Sequence, residues 1–189
     1  MTAFCCESGK VRQKSGGKKL QSDKKIIWLF GRSGAGKTTL ASKLVDRYKD
    51  LGILCLWLDG DRIRQGLSQD LGYTPSDRME NHRRIIEVAM IACEQDLQVV
   101  VSAMAPSEII RAEVNKWAQQ RIDWIYLETD EDTCSQRGKG IYSSPQNGSS
   151  TQFLGPTSSE SIKLHLNTSS EDVDLCKSRV FSELRILSE

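Results

Sequence analysis

Residues Gly31 to Thr38 read Gly-Arg-Ser-Gly-Ala-Gly-Lys-Thr and fit the pattern G-x-x-x-x-G-K-[ST]. They stand between a continuous apolar run, Ile26-Ile27-Trp28-Leu29-Phe30, and residues 37–49, where Leu40, Ala41, Leu44, Val45 and Tyr48 share one helical stripe. A run that is apolar on both faces suits a buried parallel strand. The glycines let the backbone turn so that N–H groups converge on phosphate oxygens, and the following helix adds the positive end of its dipole. Lys37 is placed to pair with the β- and γ-phosphates, and the Thr38 hydroxyl to ligate magnesium. The candidate set for ATP and Mg2+ is Gly31, Ser33, Gly34, Ala35, Gly36, Lys37, Thr38 and Thr39, with Thr38 as the metal ligand. The motif itself leaves Arg32, Ser33 and Ala35 free.

Strand and helix alternate onward. Ile53–Leu58 predicts a second strand and residues 77–95 a helix with Ile85, Ile86, Ala89 and Ala92 on one face. Leu97–Ser102 is the third strand, followed by a helix over about 108–120. Ile122–Leu127 is the fourth, with a short helix at 131–137. Ile162–Leu166 alternates like a fifth strand. A closing helix starts near Ser169-Ser170, has Glu171 and Asp172 in its first turn, and carries Val173, Cys176, Val180, Leu184 and Leu187 on one stripe. The fold class is therefore α/β, a P-loop NTPase three-layer fold around a mostly parallel five-stranded sheet. Residues 138–161 are rich in Ser, Gly, Pro and Asn, as a functional lid or a disordered stretch would be. Residues 1–24 are polar and basic and read as a flexible arm, leaving 25–189 as one domain.

A net charge of +1 gives no global field that selects nucleic acid or a membrane. No apolar run approaches the ~20 residues of a membrane span. Of six cysteines, Cys55, Cys93, Cys134 and Cys176 fall in periodic apolar segments and read as buried hydrophobes, while Cys5-Cys6 lacks metal-ligand spacing. Reduced thiols and a cytoplasmic location are the expectation.

The second strand ends in Asp59-Gly60-Asp61-Arg62-Ile63-Arg64. Ligands of open α/β sheets bind beyond the carboxyl ends of the strands. Carboxylates there can accept a substrate hydroxyl proton or hold a magnesium water, and Arg64 can face an anion. Arg78 and Asn81 share a face of the next helix, whereas His82 reads as a surface residue.

Leu58–Leu67 (LDGDRIRQGL), Asp70–Tyr73 (DLGY) and Asp77–Arg84 (DRMENHRR) closely resemble adenylyl-sulfate kinases, in which these stretches read LDGDNIRHGL, DLGF and DRKENIRR. The resemblance runs from about Ile26 to the C-terminus and is tightest over 26–103. It implies a nucleoside-monophosphate-kinase-like fold, usually dimeric, that phosphorylates the ribose 3′-hydroxyl of adenosine 5′-phosphosulfate with MgATP to give PAPS for sulfate assimilation. It implies Asp61 as the base or hydroxyl-orienting carboxylate supported by Asp59. It also implies that Arg64, Arg78 and Asn81 grip the acceptor, and that Tyr73 and Phe153 are the walls of its base sandwich. Gln136–Tyr142 resembles the lid sequence R-D-P-K-G-L-Y, one residue shorter when counted from Arg137. That puts Lys139 on the phosphates at closure and Arg137 near ATP. The catalytic set is then Asp61, Lys37 and Lys139.

Four departures fall on the acceptor or lid side. F-I-S-P is Ala103-Met104-Ala105-Pro106, and an arginine becomes Glu108 while the later Arg111 persists. A basic lid run becomes Ser143-Ser144-Pro145-Gln146, and an acidic stretch after the Phe153 segment is largely missing. They leave two further readings open: the same chemistry on another nucleotide such as a cytidine diphosphoramidate, or a non-catalytic nucleotide-binding domain.

Overall fold

The computed structural model describes residues 25–137 and 153–186. Five strands, β1 (Ile26–Gly31), β2 (Cys55–Asp59), β3 (Gln98–Ser102), β4 (Ile122–Glu128) and β5 (Leu164–Asn167), form one sheet in the order β2-β3-β1-β4-β5. Every strand pair in it is parallel. The central β1 is buried along its whole length, because neighbours flank it and helices cover both faces.

Side chains alternate across the strands, and the two cores follow that period. Trp28, Phe30, Val99, Val101, Trp124 and Tyr126 point to the face covered by α3 (Pro75–Glu94) and α4 (Glu108–Trp117). Ile27, Leu29, Val100, Ile125 and Leu127 point to the face covered by α1 (Lys37–Asp50) and α6 (Val173–Glu183). Each large apolar side chain so buried stabilises by roughly 1.5–3 kcal/mol. Two short helices, α2 (Gly60–Gln65) and α5 (Glu131–Arg137), sit beyond β2 and β4.

Several expected boundaries move. β2 starts at Cys55, so Ile53 and Leu54 are exposed loop residues. α3 starts at Pro75, because Thr74 and Asp77 form a reciprocal capping box. β5 starts at Leu164. α6 starts only at Val173: the Asn167 side chain accepts the amides of Ser169 and Ser170 in a turn, and Asp172 is the cap rather than a first-turn residue. Val173 is largely exposed, whereas Cys176 and Val180 are buried. Cys93, Cys134 and Cys176 are buried, but Cys55 is only half-buried. Among the described residues no helix is long and apolar enough to cross a membrane. Cys5, Cys6, the basic arm, Leu187, Lys139 and residues 138–152 of the expected lid lie outside the described residues.

Candidate active site

The loop after β1 meets the physical demands of its motif. Gly34 has φ +83°, and a Cβ there would lie 2.7 Å from the Cys134 carbonyl oxygen, so only glycine fits between the loop and α5. Gly36 caps α1 in the left-handed conformation and offers no side chain to the helix amides. Those amides are thus left for an anion. Lys37 Nζ turns back onto the loop and donates to the carbonyls of Gly31 (3.1 Å) and Arg32 (2.7 Å). Burial pushes its pKa down to about 8, against the opposing charges of Asp61, Cys134 and Asp59.

Asp59, at the end of β2, is held from four sides. Its Oδ2 accepts from Thr38 Oγ1 (3.0 Å) and Ser102 Oγ (2.7 Å), and its Oδ1 caps α2 through the amides of Asp61 and Arg62. Ser102 accepts in turn from the indole N–H of Trp57 (2.9 Å). A threonine hydroxyl and a carboxylate side by side are hard oxygen donors of the kind magnesium takes, with phosphates and waters completing its shell. Among the described residues no cluster of three or more His, Cys, Asp or Glu could hold a metal without such a substrate. Asp61, the first-turn acid of α2, is exposed beside this pair.

The acceptor-side residues gather around Tyr73. The Arg64 guanidinium lies 4.5 Å from the ring centroid and that of Arg78 5.4 Å, and both donate to nearby backbone carbonyls, Gly72 and Tyr73. Burial, then the charge of Arg64, lowers the pKa of Arg78. Two cations on one exposed aromatic ring make a seat for an anionic nucleotide. Asn81 is buried, and its Oδ1 has no hydrogen-bond partner. Asp70 and Arg84 of the motif segments serve structure: Arg84 grips Asp70 (2.6 and 2.8 Å), Glu80 and the Leu67 carbonyl, pinning the 67–72 loop to α3.

Phe153 is buried, stacked on Tyr126 (6.1 Å, 13°), with the Arg32 guanidinium 5.8 Å from its ring centroid. It joins the wall under the phosphate loop. Arg137 donates to the Thr168 carbonyl (2.9 Å) and lines a cavity of about 260 Å³ beside Gly36 and Thr39, closed by Thr168, Glu171 and Asp172. This cavity adjoins the start of α1. Sequence reading missed the β5–α6 loop that closes it, whose only local signal is a run of Asn, Thr and Ser.

It also misplaced His82. The ring is buried against Trp28, with Nδ1 2.6 Å from the Arg78 carbonyl and Nε2 2.9 Å from that of Met104. It is one of three side chains aimed at successive carbonyls of the 103–106 loop. The Trp28 indole donates to Ala103 (3.2 Å) and Arg111 to Ala105 (2.7 Å). The altered loop is therefore held by its backbone. Ala103 itself lies under α2, since a Cβ on Gly60 would come within 3.0 Å of its own.

The sequence matches the adenylylsulphate kinase family over residues 23–161. The chain belongs to that family. Among similar proteins, the adenylyl-sulfate kinase of Bacillus licheniformis is 35% identical over 168 residues, covering 86% of this chain and 85% of that protein. The adenylyl-sulfate kinase of Prochlorococcus marinus is 37% identical over 166 residues, covering 84% and 82%. The structure of the Mycobacterium tuberculosis APS kinase CysC in complex with AMPPNP and APS superposes with a TM-score of 0.75 at 28% identity, covering 86% of this chain and 98% of that one. Like its family, the protein is an ATP-dependent kinase.

Proposed function

We propose that this adenylyl-sulfate kinase family member transfers the γ-phosphate of MgATP to the ribose 3′-hydroxyl of adenosine 5′-phosphosulfate, giving PAPS and ADP. The observation that carries the reading is the position of Asp61. It is an exposed carboxylate in the first turn of α2, just beyond β2, close enough to Lys37 for its charge to oppose the lowering of the lysine pKa, on the element that also carries Arg64.

In this mechanism the acceptor's phosphosulfate sits against Arg64 and Arg78, its base lies on Tyr73, and its 3′-hydroxyl faces Asp61. Asp61 takes the hydroxyl proton as the 3′-oxygen bonds to the γ-phosphorus and the bond to the ADP oxygen breaks. Lys37 leaves its two carbonyls and stabilises charge on the phosphoryl oxygens. Thr38, with Asp59 behind it, would hold magnesium, which neutralises phosphate charge when bound. Lys139 and Arg137 complete the ATP side in the same reading, and Phe153 backs the site beside Arg32. The proposal includes the homodimer usual for the family and a cytoplasmic setting. Sedimentation of the purified chain tests the first.

Asp61→Asn separates this reading from simple nucleotide binding. It is expected to lower kcat about a hundredfold while the ATP dissociation constant stays within about a factor of two. Equal effects on both would remove Asp61 from the hydroxyl side. Tyr73→Ala is expected to raise the acceptor KM about tenfold and leave that of ATP nearly unchanged, since the exposed ring stacks on guanidinium groups and carries little of the core. A rise in the ATP KM instead would mean that the two nucleotide pockets are interchanged.

One observation favours a second acceptor. Glu108, where the resemblance has an arginine, accepts from Ser159 (3.2 Å) and adds negative charge on the acceptor side. Transfer assays with radiolabelled ATP against adenosine 5′-phosphosulfate and cytidine diphosphoramidate decide between the two. Turnover of only the cytidine nucleotide would overturn the proposed substrate.

A further inference from the structure

The mechanism gives no task to the buried imidazole of His82. His82 lies on α3, and only 4% of it meets solvent. Its ring lies nearly parallel to Trp28, with centroids 5.9 Å apart and 9° between planes. Both ring nitrogens face backbone carbonyls, that of Arg78 at 2.6 Å and that of Met104 at 2.9 Å. A neutral imidazole carries a single N–H, so it satisfies one carbonyl and turns a lone pair on the other. An imidazolium satisfies both.

The geometry thus suits the charged ring, and the surroundings oppose it. Burial pushes the His82 pKa down most, the two carbonyls push it up, and the charges of Arg64 and Arg78 push it down again, leaving it below the ordinary histidine value. Arg78 on α3 and Arg64 on α2 are the charged groups that face it. From β1 comes the Trp28 ring, and residues 103–106 present backbone and carry no titratable side chain. Among the described residues no carboxylate pairs with either arginine at this point.

We infer that His82 takes up a proton when the anionic acceptor binds, which links acceptor affinity to pH and ties α3 to the 103–106 loop. The inference rests on the proposed function, because it seats the acceptor's anion on Arg64 and Arg78. An anion there offsets both positive charges that disfavour the imidazolium, in a site where charges act through protein rather than bulk water. The proton comes from solvent, and no other bond is made or broken. Once charged, the ring donates to the carbonyls of Arg78 and Met104 together. The residue that grips the anion is then joined through one side chain to the loop that walls the acceptor. Arg111 and Trp28 hold the two flanking carbonyls whatever the pH.

The sign follows from linkage. The His82 pKa is low in the free protein and higher in the complex. Acceptor affinity is therefore greatest where the ring is charged in both states, falls as pH rises between the free and bound values, and is level above them. A rise of one unit on binding corresponds to about a tenfold loss of affinity across that window. The acceptor's phosphoryl and sulfuryl groups are strong acids and do not titrate there.

The test is titration calorimetry of adenosine 5′-phosphosulfate into the intact chain, nucleotide-free and ADP-saturated, in buffers of differing ionisation heat near about pH 6.5. The wild type is expected to take up on the order of half a proton per acceptor bound. His82→Ile, the residue in the matching stretch of the resembling kinases, and His82→Gln are expected to take up none and to bind with nearly pH-independent affinity. The chain has only two histidines, so imidazole 15N spectra can follow His82 directly, and both nitrogens are expected to be protonated on acceptor addition. Acceptor binding without proton uptake, or uptake equal in wild type and both variants, overturns the inference and leaves the acceptor assignment intact. Failure of the wild type to bind adenosine 5′-phosphosulfate overturns both.

Discussion

Lys37→Ala is expected to lower kcat/KM about a thousandfold, since in the proposed mechanism it removes the lysine cation that stabilises the transferring group. The loss should appear mostly in kcat if Lys37 acts in the transition state, and mostly in the ATP dissociation constant if it only anchors nucleotide. Stability should move the other way. The Lys37 pKa is depressed to about 8 from 10.5, so the unfolded chain binds this proton more tightly. Its charge therefore costs stability at neutral pH, and that cost is relieved as pH rises from about 8 toward 10.5. The alanine variant should melt no lower than wild type at pH 7 and should lack this alkaline gain. Unchanged kcat/KM would remove the donor site from residues 31–38.

Arg111→Met is expected to destabilise the domain by about 3–5 kcal/mol, because it leaves a half-buried carboxylate without its partner. Arg111 is 2% exposed. It bonds Glu160 through Nη2 (2.7 Å) and Nε, spans the carbonyls of Ala105, Leu154 and Gly155, and lies 5.2 Å from the Phe30 ring centroid. For a chain of this size the loss corresponds to a Tm lower by roughly 10 °C. Burial works against the Glu160 carboxylate, but hydrogen bonds from Arg111 and Thr157 outweigh it and hold the pKa below the usual glutamate value of 4.5. That contribution is complete above pH 4.5 and is lost as pH falls through the folded value. Glu160→Gln added to Arg111→Met should recover part of the loss, and the pair should melt with less acid sensitivity. Melting of the single variant within about 1 °C of wild type would show the ion pair to be incidental.

The parts of this fold that local chemistry decides were legible in the sequence. β1 and β3 are unbroken apolar runs, and the phosphate loop needs only its own glycines, Lys37 and Thr38. The stripe of Leu40, Ala41, Leu44 and Tyr48 is buried as its spacing requires. Features made by distant partners were not legible. His82 stands in the charged segment Asp77–Arg84 and looks solvated until Trp28 and Met104 close over it. Ser169 and Ser170 are good helix caps in isolation, but the Asn167 side chain claims their amides and moves the start of α6 to Val173. Glu160 lies in a Ser- and Pro-containing stretch that resembles a free loop, and its role depends on an arginine 49 residues earlier. Asp59 looks like an aid to Asp61 in the sequence, and only the fold brings it to Thr38 at the start of α1 and Ser102 at the end of β3.

The strand order β2-β3-β1-β4-β5 separates two kinds of heritable change. The parts assigned to the acceptor hang from β2 and β3: Asp61, Arg64, Tyr73, Arg78, His82 and the 103–106 loop. Arg137, Thr168 and the cavity proposed for the donor hang from β4 and β5. β1 with its loop, and Asp59 at the end of β2, serve both in the proposed mechanism. Mutation can thus rewrite the β2–β3 side beyond Asp59 without touching the grip on ATP. Paralogues that diverge from this chain should differ mainly on that side, and a graft of residues 59–111 between relatives should carry acceptor preference with it.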